Sequence, residues 1–146
     1  MSKFSEKILR GEVPADHEWA EHLIEAHKEA PSMTPNAFAP YRTAEGITSY
    51  ELLARTLDGL AARPDATVLD LACGDGYLVP FILEHAGPRA SVVGVDMSEG
   101  ELAVARATRA REGVRFVNGR AQELPLADAS IDAAVCHMAF MLMLPL

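Results

Sequence analysis

The chain has 146 residues, close to the modal size of a single domain, and folding such a chain buries about two-thirds of its unfolded surface. Hydrophobic residues make up 49% and charged residues 23%, with 10 Gly and 9 Pro, which excludes a disordered tail, a collagen or a low-complexity linker. Thirteen Lys and Arg against 21 Asp and Glu leave a net charge of −8, so no nucleic-acid partner is expected, because phosphate-backbone affinity comes from counterion release to a basic surface.

The longest apolar run, Ala133 to Leu146, contains His137 and falls short of the ~20 residues of a membrane span. The N-terminus lacks an apolar signal segment, and neither feature implies a membrane partner. Cys73 and Cys136 make no disulfide framework and no Cys/His spacing suits a metal, so a reducing cytoplasm is the expected location.

Residues 1–66 read as a helical lid or cap segment and residues 67–146 as strands alternating with helices, the composition shifting near Pro64. Asp16 is placed to cap a helix whose apolar positions Trp19, Leu23, Ala26 and Ala30 follow helical spacing and which Pro31 ends. His17, His22 and His27 recur every five residues, about 140° apart around a helix, which denies them a shared metal face and reads as a solvated side. Pro31, Pro35 and Pro40 bracket a loop carrying Phe38 and Tyr41, which serve either as a lid over a ligand or as packing anchors. Thr48 and Glu51 form a capping box for a second helix, with Leu53, Leu57 and Leu60 as its buried stripe.

Four short apolar runs without polar alternation follow, Thr67–Leu71, Ser91–Val95, Val114–Val117 and Ile131–Cys136, the pattern of strands covered on both faces. A helix over Tyr77–Ala86, with Pro80 in its first turn, separates the first two. A helix opened by Ser98 and Glu101 and closed at Gly113 separates the next two. This is βαβαβ, hence an α/β fold with a doubly wound parallel sheet whose ligands sit beyond the strands' carboxyl ends.

The first strand runs into Asp70-Leu71-Ala72-Cys73-Gly74-Asp75-Gly76, where the two glycines let backbone approach a ligand. Asp96 ends the second strand, placed to accept hydrogen bonds from both hydroxyls of a ribose. Strand, glycine loop, helix, strand and acid within one unit of about 30 residues mark a nucleoside site.

Val68–Gly76 resembles the first motif of class I S-adenosylmethionine-dependent methyltransferases, and Val92–Ser98 resembles the second. Val117–Leu126, followed by Ser130-Ile131-Asp132, is similar to the segment between strands three and four in small-molecule members. The resemblance implies a Rossmann-like sheet in the order 3-2-1-4, with S-adenosylmethionine as cofactor and a small-molecule methyl acceptor as partner. It also implies that the Ala72, Cys73 and Gly74 backbone and the Gly76 turn hold the methionine part, with Asp70 steadying the loop or the ammonium. Asp96 takes the ribose, Met97 the adenine face, and the Ala121 amide and Gln122 side chain the adenine edge. Ala72 stands where the family often has glycine, a change that a negative φ tolerates, and Arg120 stands where the family commonly has an Asp that receives the adenine amino group.

Val79, where a dinucleotide fingerprint wants a small residue, and the acid after Gly74 weigh against a nicotinamide-binding domain. His137, just past strand four, is the candidate general base if the acceptor is a hydroxyl; the other reading is a packed histidine beneath the cofactor. Cys73 and Cys136 are expected as reduced, buried thiols at the ends of adjacent strands, and Met138, Met141 and Met143 as apolar filler. The family sheet has seven strands and only the first four are found here, so the chain is expected to be truncated after strand four. A bare sheet edge then predicts self-association or a complementing C-terminal half. A non-catalytic module that keeps the cofactor fold for assembly is the alternative from a different class.

Overall fold

A computed structural model describes residues 3–63 and 65–143. Pro64, at the expected segment boundary, and Leu144, Pro145 and Leu146 of the apolar end lie outside the described residues. Four helices precede the sheet: α1 (Lys3–Leu9), α2 (Asp16–Glu29), α3 (Met33–Phe38) and α4 (Ser49–Arg55), then a 3-10 turn over Asp58–Ala62.

Asp16 is the first residue of α2 rather than its cap. The capping position is Ala15, whose N–H donates to the Glu18 carboxylate at 2.9 Å, so the glutamate three positions on satisfies the helix end. The proline-bracketed loop contains α3, because Pro35 falls in its first turn, where the missing N–H is not needed. Thr48 caps α4 as expected, the Glu51 N–H donating to its Oγ1 at 3.0 Å, but the reciprocal half of the box is not formed, since the Glu51 carboxylate pairs with Arg55 at 2.6 Å. The expected stripe packs on the core, Leu57 buried and Leu53 and Leu60 half-buried against it, but the helix itself ends at Arg55, so Leu57 and Leu60 lie in the turn that follows, and Tyr50 and Ala54 are the buried residues of α4.

The strands are β1 (Thr67–Leu71), β2 (Ser91–Asp96), β3 (Val114–Asn118) and β4 (Ala133–Val135). All pairs are parallel and the order is β3-β2-β1-β4, as the resemblance implies. Thr67 lies opposite Ser91 and Val68 opposite Ala133, which brings the carboxyl ends of β1 and β2 to one side. The fourth strand is shorter than its apolar run because Asp132 is engaged through its side chain, accepting the Thr67 N–H at 2.8 Å and pairing with Arg63 at 2.8 Å.

Helix α5 (Val79–Ala86) joins β1 to β2, and α6 (Glu99–Arg109) joins β2 to β3. The expected start of α5 at Tyr77 moves to Val79, since Gly76 and Tyr77 are held in the preceding turn by Cys73 O and Asp75 Oδ1. The sixth helix ends at Arg109 rather than Gly113; Ala110 turns extended, and Gly113, at φ 77°, makes the turn into β3.

Alternation along the strands divides the core. Val68 and Val92 pack with Tyr50, Ala54, Leu57 and Ile82, while Leu69, Val93 and Val95 form a second cluster with half-buried Val117, Leu126 and Ile131. Burying each such side chain contributes about 1.5–3 kcal/mol. Gly94 in β2 permits the closest approach in the sheet: a Cβ there would lie 2.7 Å from Phe116 Cδ1 and 2.8 Å from Cys73 Sγ. No helix among the described residues is long and apolar enough to cross a membrane.

Candidate functional site

The segment from Asp70 to Gly76 is the link between β1 and α5, and its backbone is fastened to β2. Cys73 N–H donates to Val95 O at 3.1 Å, and Gly74 N–H donates to Asp96 Oδ2 at 2.9 Å. The other oxygen of Asp96 accepts the Ser98 N–H at 2.8 Å, so one carboxylate ties the glycine loop to the start of α6. Burial still holds the Asp96 carboxyl above its ordinary range, against the lowering effect of these two hydrogen bonds.

Left-handed backbone recurs at Ala72 (φ 55°), Gly74 (φ 52°) and Gly76 (φ 72°). The negative φ expected at Ala72 is therefore not found. A Cβ in this region costs about 1–2 kcal/mol, and the hydrogen bonds of the neighbouring Cys73 and Gly74 amides to β2 hold the conformation against that cost.

Asp70 is 2% exposed, and its Oδ2 has no hydrogen-bond partner among the described residues. Burial, together with Asp96 and Asp75, pushes its pKa up to about 8. A buried acid without a partner is relieved by a cationic ligand, which restores the charged form.

An open cleft lies over the carboxyl ends of β1 and β2. Of the expected cofactor residues, Asp70, Ala72, Cys73 and Gly74 line one wall, and Asp96, Met97, Ala121 and Gln122 line another. Gly76 stands behind the wall, where a Cβ would lie 3.0 Å from Phe116 Cζ, so it serves the turn rather than the lining. Tyr41 is 73% exposed and away from the lining, and Phe38 packs edge-on to His137 at 6.3 Å instead of facing the cleft.

The remaining wall comes from the N-terminal helices, through Asp16, Trp19, Leu23 and His27 of α2 and Tyr50 of α4. The reading of the three histidines as a solvated side is corrected here. His22 stacks on Phe4 at 4.1 Å, and His27 Nδ1 lies 2.8 Å from Glu101 Oε1, a carboxylate with a 3% exposed side chain. That hydrogen bond, partly opposed by burial, raises the His27 pKa, and Glu101 also accepts the Ser32 N–H at 3.0 Å. Glu101 thus docks α2 onto α6, a pairing across 74 positions that no local spacing announces. Arg120 meets Asp16 at 3.2 Å on the cleft's rim, so the place where the family has an acid is held by a cation paired with an acid from α2.

His137 is the second residue after β4, and its Nε2 lies 2.8 Å from Ser49 Oγ. Its ring stacks on Tyr50 with centroids 3.8 Å apart, and burial lowers its pKa. Sequence reasoning singled out neither Ser49 nor Tyr50. The two cysteines are free thiols, Cys73 buried and Cys136 half-buried, and Phe140, Met141 and Leu142 are exposed beyond β4.

A family model described as a methyltransferase domain matches residues 68–145, more than half of the chain. A demethylmenaquinone methyltransferase of Staphylococcus aureus is 35% identical over 79 residues, which cover 53% of this chain and 33% of that protein. The chain therefore spans about a third of the length of the curated relatives it matches. Among solved structures, an S-adenosylmethionine-dependent methyltransferase from Aquifex aeolicus aligns with a TM-score of 0.55 at 19% identity, over 77% of this chain and 61% of that one. A TehB-like methyltransferase from Corynebacterium glutamicum gives 0.55 at 21% identity, over 80% and 58%. These two likenesses concern the fold. Sheet order, glycine loop and family match agree, and the chain belongs to the methyltransferase domain family, in the class I group that uses S-adenosylmethionine.

Proposed function

We propose that this chain is the cofactor-binding part of an S-adenosylmethionine-dependent methyltransferase acting on a small-molecule acceptor. The observation that carries the reading is the Gly74 amide held on Asp96 beside the buried Asp70, whose Oδ2 has no partner among the described residues, at the base of one cleft. The cofactor's chemistry fits these residues, since its ammonium and sulfonium are the positive charges that an orphaned buried acid favours. A pyrophosphate would instead meet Asp70, Asp75 and Asp96, which is why a nicotinamide dinucleotide suits the loop poorly.

In this reading Asp96 accepts the ribose hydroxyls with lone pairs left over from Gly74 and Ser98. Asp70 and the Ala72–Gly74 backbone hold the methionine part, Met97 packs on the adenine face, and Ala121 and Gln122 meet its edge. Once bound, the cofactor supplies an activated methyl group on sulfur. The protein's share is then to align an acceptor with it and keep water out, the effect that dominates such displacements. The 1–66 segment covers the cleft through α2 and α4, and residues 67–146 form the sheet half. A C-terminal half or a second copy completes the acceptor pocket along β4, whose outer edge no described strand covers.

Calorimetric titration of the purified chain with S-adenosylmethionine and S-adenosylhomocysteine tests this. Binding of both is expected, with at least a tenfold loss in Asp96→Ala, equivalent to about 1.4 kcal/mol, and no comparable affinity for NAD. A folded chain that binds neither, or that prefers NAD, overturns the reading.

A further inference from the structure

We propose that the His27 and Glu101 side chains form a proton-operated latch, which holds α2 closed over the cleft and sets how fast the cofactor enters and leaves. The proposal rests on the methyltransferase reading above for the identity of the ligand and adds a control on that same site.

Helix α2 presents one face to the cleft along its whole length. Asp16, Trp19, Ala20, Leu23 and His27 recur at helical spacing and all line it, yet none of the 14 residues of α2 is fully buried. A helix gains most of its stability in a protein by burying an apolar face. With little of that burial, α2 depends on polar contacts near its two ends.

Near the first end Asp16 meets Arg120 at 3.2 Å, but their side chains are 41% and 42% exposed, and such a pair is screened by water and salt. Near the second, His27 Nδ1 lies 2.8 Å from Glu101 Oε1, and the two Glu101 oxygens share the Ser32 N–H at 3.1 and 3.0 Å. Glu101 is 2% exposed, so this end is shielded. The helices also approach closely here, since a Cβ on Gly100 would lie 3.2 Å from Lys28 Cα. Helix α1 is fastened to α2, through Phe4 on Trp19 and His22 and through Lys7 on Glu18 at 2.6 Å.

The charges around His27 make its contact depend on a proton. The ring faces two acids, Glu101 of α6 and Asp96 at the end of β2, and the Glu101 bond, partly opposed by burial, raises its pKa above 6.5. Its neighbours on α2, Lys28 and Glu25, are exposed and pair with each other at 3.8 Å, while Asp70 and Asp75 line the cleft from the loop after β1. The latch therefore carries its full charge below pH 6.5 and loses it as pH climbs through the higher folded value. A neutral ring still donates from Nδ1, but it no longer attracts a buried carboxylate as an ion does, nor offsets the repulsion between Glu101 and Asp96. Alkaline buffer thus frees α2 while the sheet stays folded. Asp70, which burial pushes up to about 8, ionises over the same range and favours a cationic ligand, so it moves affinity in the opposite sense. Helix opening and release rates, compared between proteins that all keep Asp70, isolate the latch.

The test uses the whole chain, in which Trp19 is the sole tryptophan. Amide hydrogen exchange, corrected for the intrinsic effect of pH, reads the opening of α2, and acrylamide quenching of Trp19 reads its cleft face. Without cofactor, α2 is expected to open while β1 and β2 stay protected, and to open more at about pH 9 than at about pH 6. His27→Gln is expected to open about tenfold more than wild type at the lower pH, the scale of one hydrogen bond to a charged group, and to respond little to pH. Glu101→Gln keeps an acceptor for the Ser32 N–H and removes only the charge, and its opening is expected to be equally flat. S-adenosylhomocysteine, followed by Trp19 fluorescence in stopped flow, is expected to leave His27→Gln about tenfold faster at the lower pH, a rate that wild type approaches at the higher. A pH response of α2 that survives in both variants, an α2 that exchanges only together with the sheet, or a release rate unchanged in His27→Gln overturns the proposal. The two readings fail separately. A latch that responds in the free chain without cofactor binding defeats the cofactor assignment, and cofactor binding with an α2 indifferent to both variants defeats the latch.

Discussion

Replacing Asp70 with Asn removes an ionisable group that the fold perturbs strongly while keeping its shape. Folding pushes the Asp70 pKa from 3.8 to about 8 by burial and by the nearby Asp96 and Asp75 carboxylates. A carboxyl raised in this way binds its proton more tightly folded than unfolded, so the folded chain loses stability as pH climbs through that window and is level on either side of it. The slope is about 1.4 kcal/mol per pH unit, which over roughly four units approaches ~6 kcal/mol as an upper bound. That is comparable with the whole net stability of a small domain. Asn has no proton to lose. Urea unfolding of both proteins at intervals between about pH 5 and 8 should therefore give curves that diverge by close to that slope, the variant gaining on the wild type. Asp96 and His27 contribute slopes of the same sign in both proteins and largely cancel in the difference. Saturating S-adenosylmethionine should flatten the wild-type curve, because a cation beside Asp70 restores its charged form. Parallel wild-type and variant curves would refute the argument, since Asp70 would then ionise as an ordinary carboxylate.

Gly94→Ala should destabilise the chain by about 1–3 kcal/mol in thermal or urea unfolding, because the new methyl meets Phe116 and Cys73 inside 3 Å; an unchanged midpoint would mean the sheet yields there freely. Glu101→Ala strands His27 and the Ser32 N–H and should cost about 2–3 kcal/mol. The His27 part of that loss carries a pH signature. A histidine raised on folding contributes its stability in full below its ordinary 6.5 and loses it as pH rises through the higher folded value, so the variant's deficit should shrink in alkaline buffer. A deficit independent of pH would place the effect in the Ser32 contact alone.

The four strands and the glycine loop were legible because each is a contiguous feature. An apolar run such as Thr67–Leu71 cannot be solvated on either face, and the acid twenty residues after Gly76 sits in the register that its own strand imposes. Capping at Thr48 and Ser98 is equally local, a side chain meeting an N–H three residues on. Boundaries moved by a few residues where such local bonds competed, as at Asp75 before α5. The cleft's far wall was not legible. His27 with Glu101, Arg120 with Asp16 and Ser49 with His137 are joined across 74, 104 and 88 positions by the docking of helices whose own periodicity only says which side is apolar. Five-residue spacing made the histidines of α2 look alike, yet packing against α6 put one beside a buried carboxylate and left His17 in water. The positive φ of Ala72 belongs to the same category: composition favours glycine there, and only the hydrogen bonds from the loop to β2 hold an alanine in its place. Short-range sterics and solvation thus determined the sheet half and its glycine loop, while the pairing of distant polar groups decided how the N-terminal helices wall the cleft.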